Sequence, residues 1–215
     1  MKGHKMSRFK YIIGRKTTAH ILTFMLMVTM LGGLLFPEII ASAENKVYSV
    51  PAAHFYVKIE DDGRVSVTDV WDVKFSEGTF SRFYKDIYKN VPAEEAFSLD
   101  EDSVKVSIDG RSCLREKNSK DYTFRLTDNG EYYTVSCYRQ SEGVKRAYKI
   151  SYIINNAVKI VDNEYYLVTF RMIGAHFSKT VGHVEARFTA PQGAVMDVRN
   201  GKYFDIVSVK GNQAN

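Results

Sequence analysis

The feature that most constrains the fold is a strict alternation of apolar and polar residues. The segment from Arg64 to Phe75 reads RVSVTDVWDVKF, and its apolar residues fall on one face: Val65, Val67, Trp71, Val73 and Phe75. The other face carries mostly polar residues: Arg64, Ser66, Thr68, Asp72 and Lys74, with Val70 as the apolar exception. A period of two is typical of a strand with one buried face. The segment therefore predicts a long, half-buried β-strand.

The same alternation recurs along the chain. It is present in FYVKIE, AYKISYII and VEARFTA, and EYYTVSCYR and EYYLVTF are rich in the aromatic and β-branched residues that strands favour. Asp61-Asp62-Gly63 joins FYVKIE to the segment that starts at Arg64, and an Asp-Gly step is a strong hairpin signal. Many short strands separated by turn signals predict one all-β domain, an antiparallel β-sandwich.

The N-terminus has the three parts of a secretory signal peptide. Six basic residues precede an uncharged stretch from Ile21 to Phe36, and Ala41-Ser42-Ala43 follows Pro37. A basic region, an apolar region and an A-x-A site are recognised in that order. We expect cleavage between Ala43 and Glu44, which leaves residues 44–215 as the extracytoplasmic domain.

The alternative is an uncleaved membrane anchor. Thr17 to Phe36 is a neutral stretch of about 20 residues, which is long enough to span a bilayer. In both cases the positive flank stays in the cytoplasm and the rest of the chain is exported. Residues 1–43 are therefore a signal peptide or an anchor, and localisation is secreted or membrane-anchored.

The charge of the chain belongs to its leader. The whole sequence has 30 Lys and Arg and 25 Asp and Glu, and the segment before Glu44 holds six of the bases and one of the acids. The remainder therefore has 30 − 6 = 24 basic and 25 − 1 = 24 acidic residues. A nucleic-acid-binding domain needs a basic face, so we expect no nucleic-acid partner.

Two blocks of sequence resemble a known family. HFYVKIEDDGRVSVTDVWDVKFSEGTFSRFYKDIY covers residues 54–88, and YKISYIINNAVKIVDNEYYLVTFRMIGAHFSKTVGHVEARFTAP covers residues 148–191. Both resemble the extracytoplasmic N-terminal domain of predicted membrane proteins called domain of unknown function 2207. The resemblance implies a structural fingerprint without a catalytic signature. The family usually has a Trp where this chain has Phe177, and usually continues into membrane helices, which puts membrane attachment beyond Asn215 in question.

Two cysteines offer a candidate disulfide. Cys113 and Cys137 would close a loop of about 25 residues, worth roughly 3–4 kcal/mol in the chain-entropy model. The alternative is two small buried apolar residues that never meet.

Cys137 also suggests an enzyme hypothesis. A Thr-x-Ser-Cys strand end near Arg139 is similar to sortase transpeptidases, which need a Cys thiolate, a His and an Arg. In that family the Gly-His pair precedes the Cys, whereas Gly182-His183 follows it here and only His54 precedes it after the leader. We therefore expect no catalytic residue and no cofactor.

The stretch LVTFRMIGAHFSKTVGHVEARFTAP raises the question of a metal site. His176 and His183 are seven residues apart, and no Cys or second pair stands nearby to complete a ligand set. Alternation places His183 on the solvated face with Glu185. We therefore expect no metal, and interpret this stretch as a junction between two strands.

Tyrosines suggest a further alternative. The adjacent pairs Tyr132-Tyr133 and Tyr165-Tyr166 send one ring to each face of a strand, and exposed rings could stack sugars. The competing interpretation is ordinary cross-strand pairing. The sequence thus predicts an exported, non-catalytic interaction or scaffold module with a protein or cell-envelope partner, and carbohydrate binding is the alternative.

Overall fold

The computed structural model describes residues 45–89, 97–161, 165–168, 171–174, 177–195, 209–210 and 213–214. All of them belong to one compact unit, Glu44–Asn215. The leader and its expected cleavage flank at Ala41, Ala43 and Glu44 lie outside the described residues, so cleavage stays a prediction.

The described residues form strands and no helix. The strands are β1 Val47–Ile59, β2 Val65–Glu77, β3 Phe80–Tyr88, β4 Ser98–Ile108, β5 Arg111–Ser112, β6 Leu114–Arg115, β7 Thr123–Asp128, β8 Tyr132–Ser141, β9 Lys145–Asn155, β10 Val158–Val161, β11 Tyr165–Val168, β12 Val181–Thr189, β13 Val209–Lys210 and β14 Gln213–Ala214.

Two sheets face each other across one core. The eight-stranded sheet has the order β13-β14-β12-β1-β2-β9-β4-β5, and the four-stranded sheet has the order β3-β8-β7-β6. A separate hairpin pairs β10 with β11. The predicted all-β sandwich is confirmed. Most pairs are antiparallel, but β1 with β12 and β6 with β7 run parallel, so the sheets are mixed.

The hairpin between β1 and β2 forms where the sequence predicts it. Gly63 adopts a φ of 80°, a conformation open to glycine because it has no Cβ. The Gly63 amide donates to the Glu60 carbonyl at 3.0 Å, and the Glu60 amide donates to the Arg64 carbonyl at 2.8 Å. The turn thereby sets the register in which Val57 faces Val67.

The core is built from the inner faces of β1, β2, β4 and β9 on one side and β3, β7 and β8 on the other. Trp71 lies at its centre, with ring centroids 5.5 Å from Phe55, 6.0 Å from Phe83 and 5.3 Å from Phe177. Such tilted and edge-on ring pairs contribute beyond their buried area. The predicted inner face of β2 is confirmed, because each of its named apolar residues is buried.

The junction between strands that the sequence predicts near the C-terminus is a parallel seam. β12 runs alongside β1, with Val50 opposite Val181 and Lys58 opposite Thr189. Gly182 is needed there, since a Cβ at this position would lie 2.8 Å from the Pro51 carbonyl oxygen. The described parts of the connection from β11 to β12 pass over β3, where Gly174 lies against the Tyr88 ring.

Candidate functional site

An open groove lies where the outer edges of the two sheets approach each other. Its floor is apolar, because Val104 and Val106 of β4 and Phe124 of β7 are buried beneath it. Leu114 of β6 also lines it and is 67% exposed. The groove has a volume of about 410 Å³. It is the larger of two candidate sites.

One side of this groove is an open strand edge. β5 pairs with β4 only at Ser107 and Ile108. Further along, the Cys113 amide donates to the Val106 carbonyl at 2.8 Å, and Arg115 donates to the Glu101 carbonyl at 2.9 Å. Within the described part of the chain, no other strand pairs with this edge. An open edge presents backbone donors and acceptors to a further strand.

The rim of the groove carries charges of both signs. Arg115 lies 2.9 Å from a Glu101 carboxylate oxygen and 3.7 Å from one of Asp102. The Asp102 side chain is fully exposed. Its long contact with Arg115 is weak in water, so Asp102 can accept a basic group from a bound partner.

The second candidate site is a charged pair inside the core. Asp69 on β2 is 0% exposed, and Lys85 on β3 is 4% exposed. The Lys85 Nζ atom lies 3.7 Å from the Asp69 Oδ2 atom. Because β2 and β3 belong to different sheets, the pair bridges the sandwich.

Aromatic rings and one backbone carbonyl surround this pair. The Lys85 Nζ atom lies 5.9 Å from the Phe55 ring centroid and 5.6 Å from that of Trp71. It donates a hydrogen bond to the Met172 carbonyl. The Tyr152 hydroxyl donates to Asp69 Oδ2 at 3.4 Å. The ammonium group is thus held by π-faces and one carbonyl.

The pair is incompletely hydrogen-bonded. Asp69 Oδ1 and the indole nitrogen of Trp71 have no hydrogen-bond partner of normal geometry among the described residues. Buried polar atoms are nearly always paired, and an unpaired carboxylate oxygen is costly. The arrangement is therefore a poor ion pair.

Burial shifts both groups toward their neutral forms. Loss of solvent raises the pKa of Asp69 to about 6, although the Lys85 charge acts in the opposite direction. Loss of solvent also lowers the pKa of Lys85, and Asp69 partly offsets that effect. Desolvation disfavours the charged form of either group. Protonated acid and unprotonated amine are accordingly easier to populate here than in water.

A small cleft opens beside the pair. It is lined by Lys85, Trp71 and Phe177, among others, and has a volume of about 10 Å³. That is room for about one water. It is far smaller than a substrate pocket.

The two cysteines are free thiols in this structure. Burial raises the pKa of Cys137, and neighbouring Cys113 raises it further. Burial likewise raises the pKa of Cys113 to about 11. A nucleophilic Cys needs a lowered pKa, whereas burial shifts the pKa of both thiols upward; the sortase hypothesis stays a prediction. The two thiols influence each other, and their pairing stays a prediction.

The histidines lie elsewhere. His54 Nδ1 is 3.1 Å from a Glu185 carboxylate oxygen across the β1–β12 seam, and the His54 and His183 ring centroids are 6.0 Å apart. His183 is exposed, as the alternation predicts, while His176 lies outside the described residues. Among described residues, no three His, Cys, Asp or Glu side chains are placed to hold a metal ion.

The tyrosine pairs offer little open ring surface. Tyr133 is buried, and Tyr132 is half-buried with its centroid 5.2 Å from that of Tyr88. The side chains of Tyr165 and Tyr166 lie outside the described residues. Tyr56 and Tyr84 are exposed, but they stand on different sheets. Carbohydrate binding through exposed tyrosines therefore stays a prediction.

Asp69 and Lys85 were not among the residues that the alternation singled out. Asp69 occupies the same face as Val67 and Trp71, and Lys85 the same face as Phe83 and Ile87. A charged residue on an otherwise apolar face is the signal that identifies each of them. Their partnership has no local signal, because it depends on how the two sheets stack.

A protein-family model matches most of the described chain. The model for the N-terminal domain of a predicted membrane protein, DUF2207, matches residues 49–214. No curated protein shows a significant match. Within the described residues, no helix is long and apolar enough to cross a bilayer.

Solved structures give distant matches. Yeast leukotriene A4 hydrolase bound to bestatin is 8% identical with a TM-score of 0.47, covering 80% of this chain and 27% of that one. An M1 zinc metallopeptidase from Deinococcus radiodurans is 11% identical with a TM-score of 0.40, covering 80% of this chain and 38% of that one. The chain thus spans well under half of either protein.

Proposed function

The chain belongs to the DUF2207 N-terminal domain family of predicted membrane proteins, and from this premise we propose that it is a non-catalytic interaction module. It acts on the outer side of a membrane and binds an extended peptide segment of a cell-envelope protein. The binding site is the groove between the sheet edges. The extracytoplasmic side is supported by the basic leader and its apolar stretch.

The open edge of β4 beside an apolar groove is the observation that carries this proposal. β5 pairs with β4 only at Ser107 and Ile108, and beyond them only the Val106 and Glu101 carbonyls accept hydrogen bonds from residues 113 and 115. The β4 edge between these two carbonyls can therefore pair with an added strand. Such strand addition derives affinity from main-chain hydrogen bonds and specificity from pockets for alternate side chains. The floor formed by Val104, Val106 and Phe124 supplies such a pocket.

The groove also indicates the chemistry of its occupant. An apolar side chain of the peptide would cover the floor and the exposed part of Leu114. A basic residue beside it would meet Asp102, whose side chain is fully exposed. Leu114 is 67% exposed, so covering it would contribute about 1–2 kcal/mol, which is about 5- to 30-fold in affinity.

The experiment places a photo-crosslinking amino acid at position 114 of the full chain in intact cells. The same probe at position 195 is the matched control, because Val195 is 89% exposed and does not line the groove. We expect an adduct at position 114 that maps to an extended segment of an envelope protein. A synthetic peptide of that segment should then bind the purified chain.

Leu114→Asp should lower the affinity of the chain for that peptide by about 5- to 30-fold, and Val195→Asp should leave that affinity unchanged. Equal yields of the same adduct at both positions, or an unchanged peptide affinity in Leu114→Asp, would refute the groove as the binding site. An adduct of glycan at position 114 would instead support the carbohydrate alternative.

A further inference from the structure

The buried pair of Asp69 and Lys85 is placed for a covalent reaction. The two side chains come from opposite sheets, and Lys85 Nζ lies 3.7 Å from Asp69 Oδ2, an oxygen bonded to the carboxyl carbon Cγ. Both are inside the core, with side chains 3% and 0% exposed. Close, fixed groups react as if at a very high local concentration.

The contacts fit an ion pair poorly. Charge-assisted hydrogen bonds between an ammonium and a carboxylate are normally about 2.7–2.9 Å long, whereas this one is 3.7 Å. Asp69 Oδ1 has no hydrogen bond of normal geometry among the described residues, although the Trp71 indole N–H is close enough to favour the carboxylate. Asp69 Oδ2 has only the Tyr152 hydroxyl at 3.4 Å besides Lys85. A covalent amide would remove both buried charges and one carboxyl oxygen.

We propose that Lys85 Nζ and Asp69 Cγ form an intramolecular isopeptide bond that joins β2 of one sheet to β3 of the other. The neutral Lys85 amine attacks Cγ of the protonated Asp69 carboxyl. A C–N bond forms and the C–OH bond breaks. The hydroxyl leaves with one amine proton as water. The step needs no oxidant, reductant or second substrate.

Neighbouring groups assist each part of this step. The Tyr152 hydroxyl donates to Asp69 Oδ2, where negative charge develops during attack. The Met172 carbonyl accepts a hydrogen bond from Nζ and orients the amine. The cleft beside Lys85 has room for about one water, which is the volume that the departing molecule needs.

Burial favours the reactive protonation states. It raises the pKa of Asp69 to about 6 and lowers the pKa of Lys85. Transfer of one proton from the Lys85 ammonium group to the Asp69 carboxylate gives the neutral amine and the neutral acid at the same time. Bulk water is excluded, so hydrolysis of the product is disfavoured.

A second pair in the same chain is the internal control. Lys89 Nζ lies only 2.8 Å from Asp128 Oδ1, closer than the buried pair. Its side chains are 18% and 47% exposed. The pKa of Lys89 is raised and that of Asp128 is lowered by their mutual hydrogen bond. Both stay charged, so no amide is expected between Lys89 and Asp128.

The test is mass spectrometry of the full chain expressed in bacteria that export it. After reduction of any disulfide, we expect an intact mass about 18 Da below the value summed from the residues of the exported product, because one water leaves. Trypsin should yield a branched peptide in which residues 65–74 are joined to residues 83–89, since acylated Lys85 is not cleaved. Trypsin should cleave normally after Lys89.

Variants then assign the bond. Lys85→Arg keeps the charge but removes the amine nucleophile, and Asp69→Ala removes the carboxyl, so each should restore the full mass. If either variant does not fold, the branched peptide of the unaltered chain still decides the matter. A tryptic peptide ending at an unmodified Lys85 would overturn the proposal. So would loss of water that maps to succinimide formation at Asp109-Gly110 instead.

Discussion

Removing Lys85 should expose the energetic cost of burying Asp69. The substitution is Lys85→Met, compared with the double variant Asp69→Asn and Lys85→Met. Neither variant can form a bond through the Lys85 amine, so the comparison isolates the Asp69 carboxyl. The lost attraction at 3.7 Å is about 4 kcal/mol at an effective dielectric constant of about 20.

The expected difference between the variants follows from the pKa of Asp69. Burial raises it from 3.8 to about 6 with Lys85 present, and it rises further when the opposing charge is gone. The difference from 3.8 to 6 corresponds to about 3 kcal/mol, a lower bound for Lys85→Met. An acid whose folded-state pKa is raised contributes stability that is fully present below its usual pKa of 3.8 and is lost as pH rises through the folded-state pKa, which in Lys85→Met lies above the value of about 6 found with Lys85 present.

The assay is urea unfolding of both variants between pH 4 and pH 8. The single variant should lose at least about 3 kcal/mol relative to the double variant over this range. Other carboxyl groups titrate alike in both and cancel. Parallel stability curves, differing by less than about 1 kcal/mol at every pH, would refute the account of Asp69 as a desolvated acid.

Two further outcomes test the seam and the thiols. Gly182→Ala should lower the free energy of unfolding by about 1–3 kcal/mol, because its Cβ would lie 2.8 Å from the Pro51 carbonyl oxygen. Val195→Ala, at a site 89% exposed, should change it by less than about 0.5 kcal/mol. Under reducing conditions, alkylation of Cys113 should accelerate with pH up to about 11, because only the thiolate reacts. A rate that levels off below pH 8 would contradict the raised pKa.

Much of the architecture is local in origin. Alternation in β2 predicts which side chains are buried, since a residue's face depends only on its parity along the strand. The Asp61-Asp62-Gly63 turn sets the register of β1 on β2 in the same way. His183 is exposed as its parity predicts. These features need no knowledge of distant parts of the chain.

The candidate sites depend on distant parts of the chain. The groove exists because β4, at the part of its edge that the two-residue β5 leaves open, approaches β6 at the edge of the other sheet. The parallel seam requires β12 to return beside β1 rather than beside its neighbour in sequence. Strand order is decided by the packing of whole sheets, and no single segment of the sequence contains that information.

By itself, the sequence determined the strands of the sandwich and the faces of β2, because the two-residue period is a property of contiguous residues, and for the same reason it predicts the leader. Only the tertiary structure decided that Asp69 and Lys85 meet. Each is a charged residue on an apolar face of its own strand. Stacking the two sheets brought both out of water and to within 3.7 Å of each other, because desolvation and proximity arise only when distant strands pack.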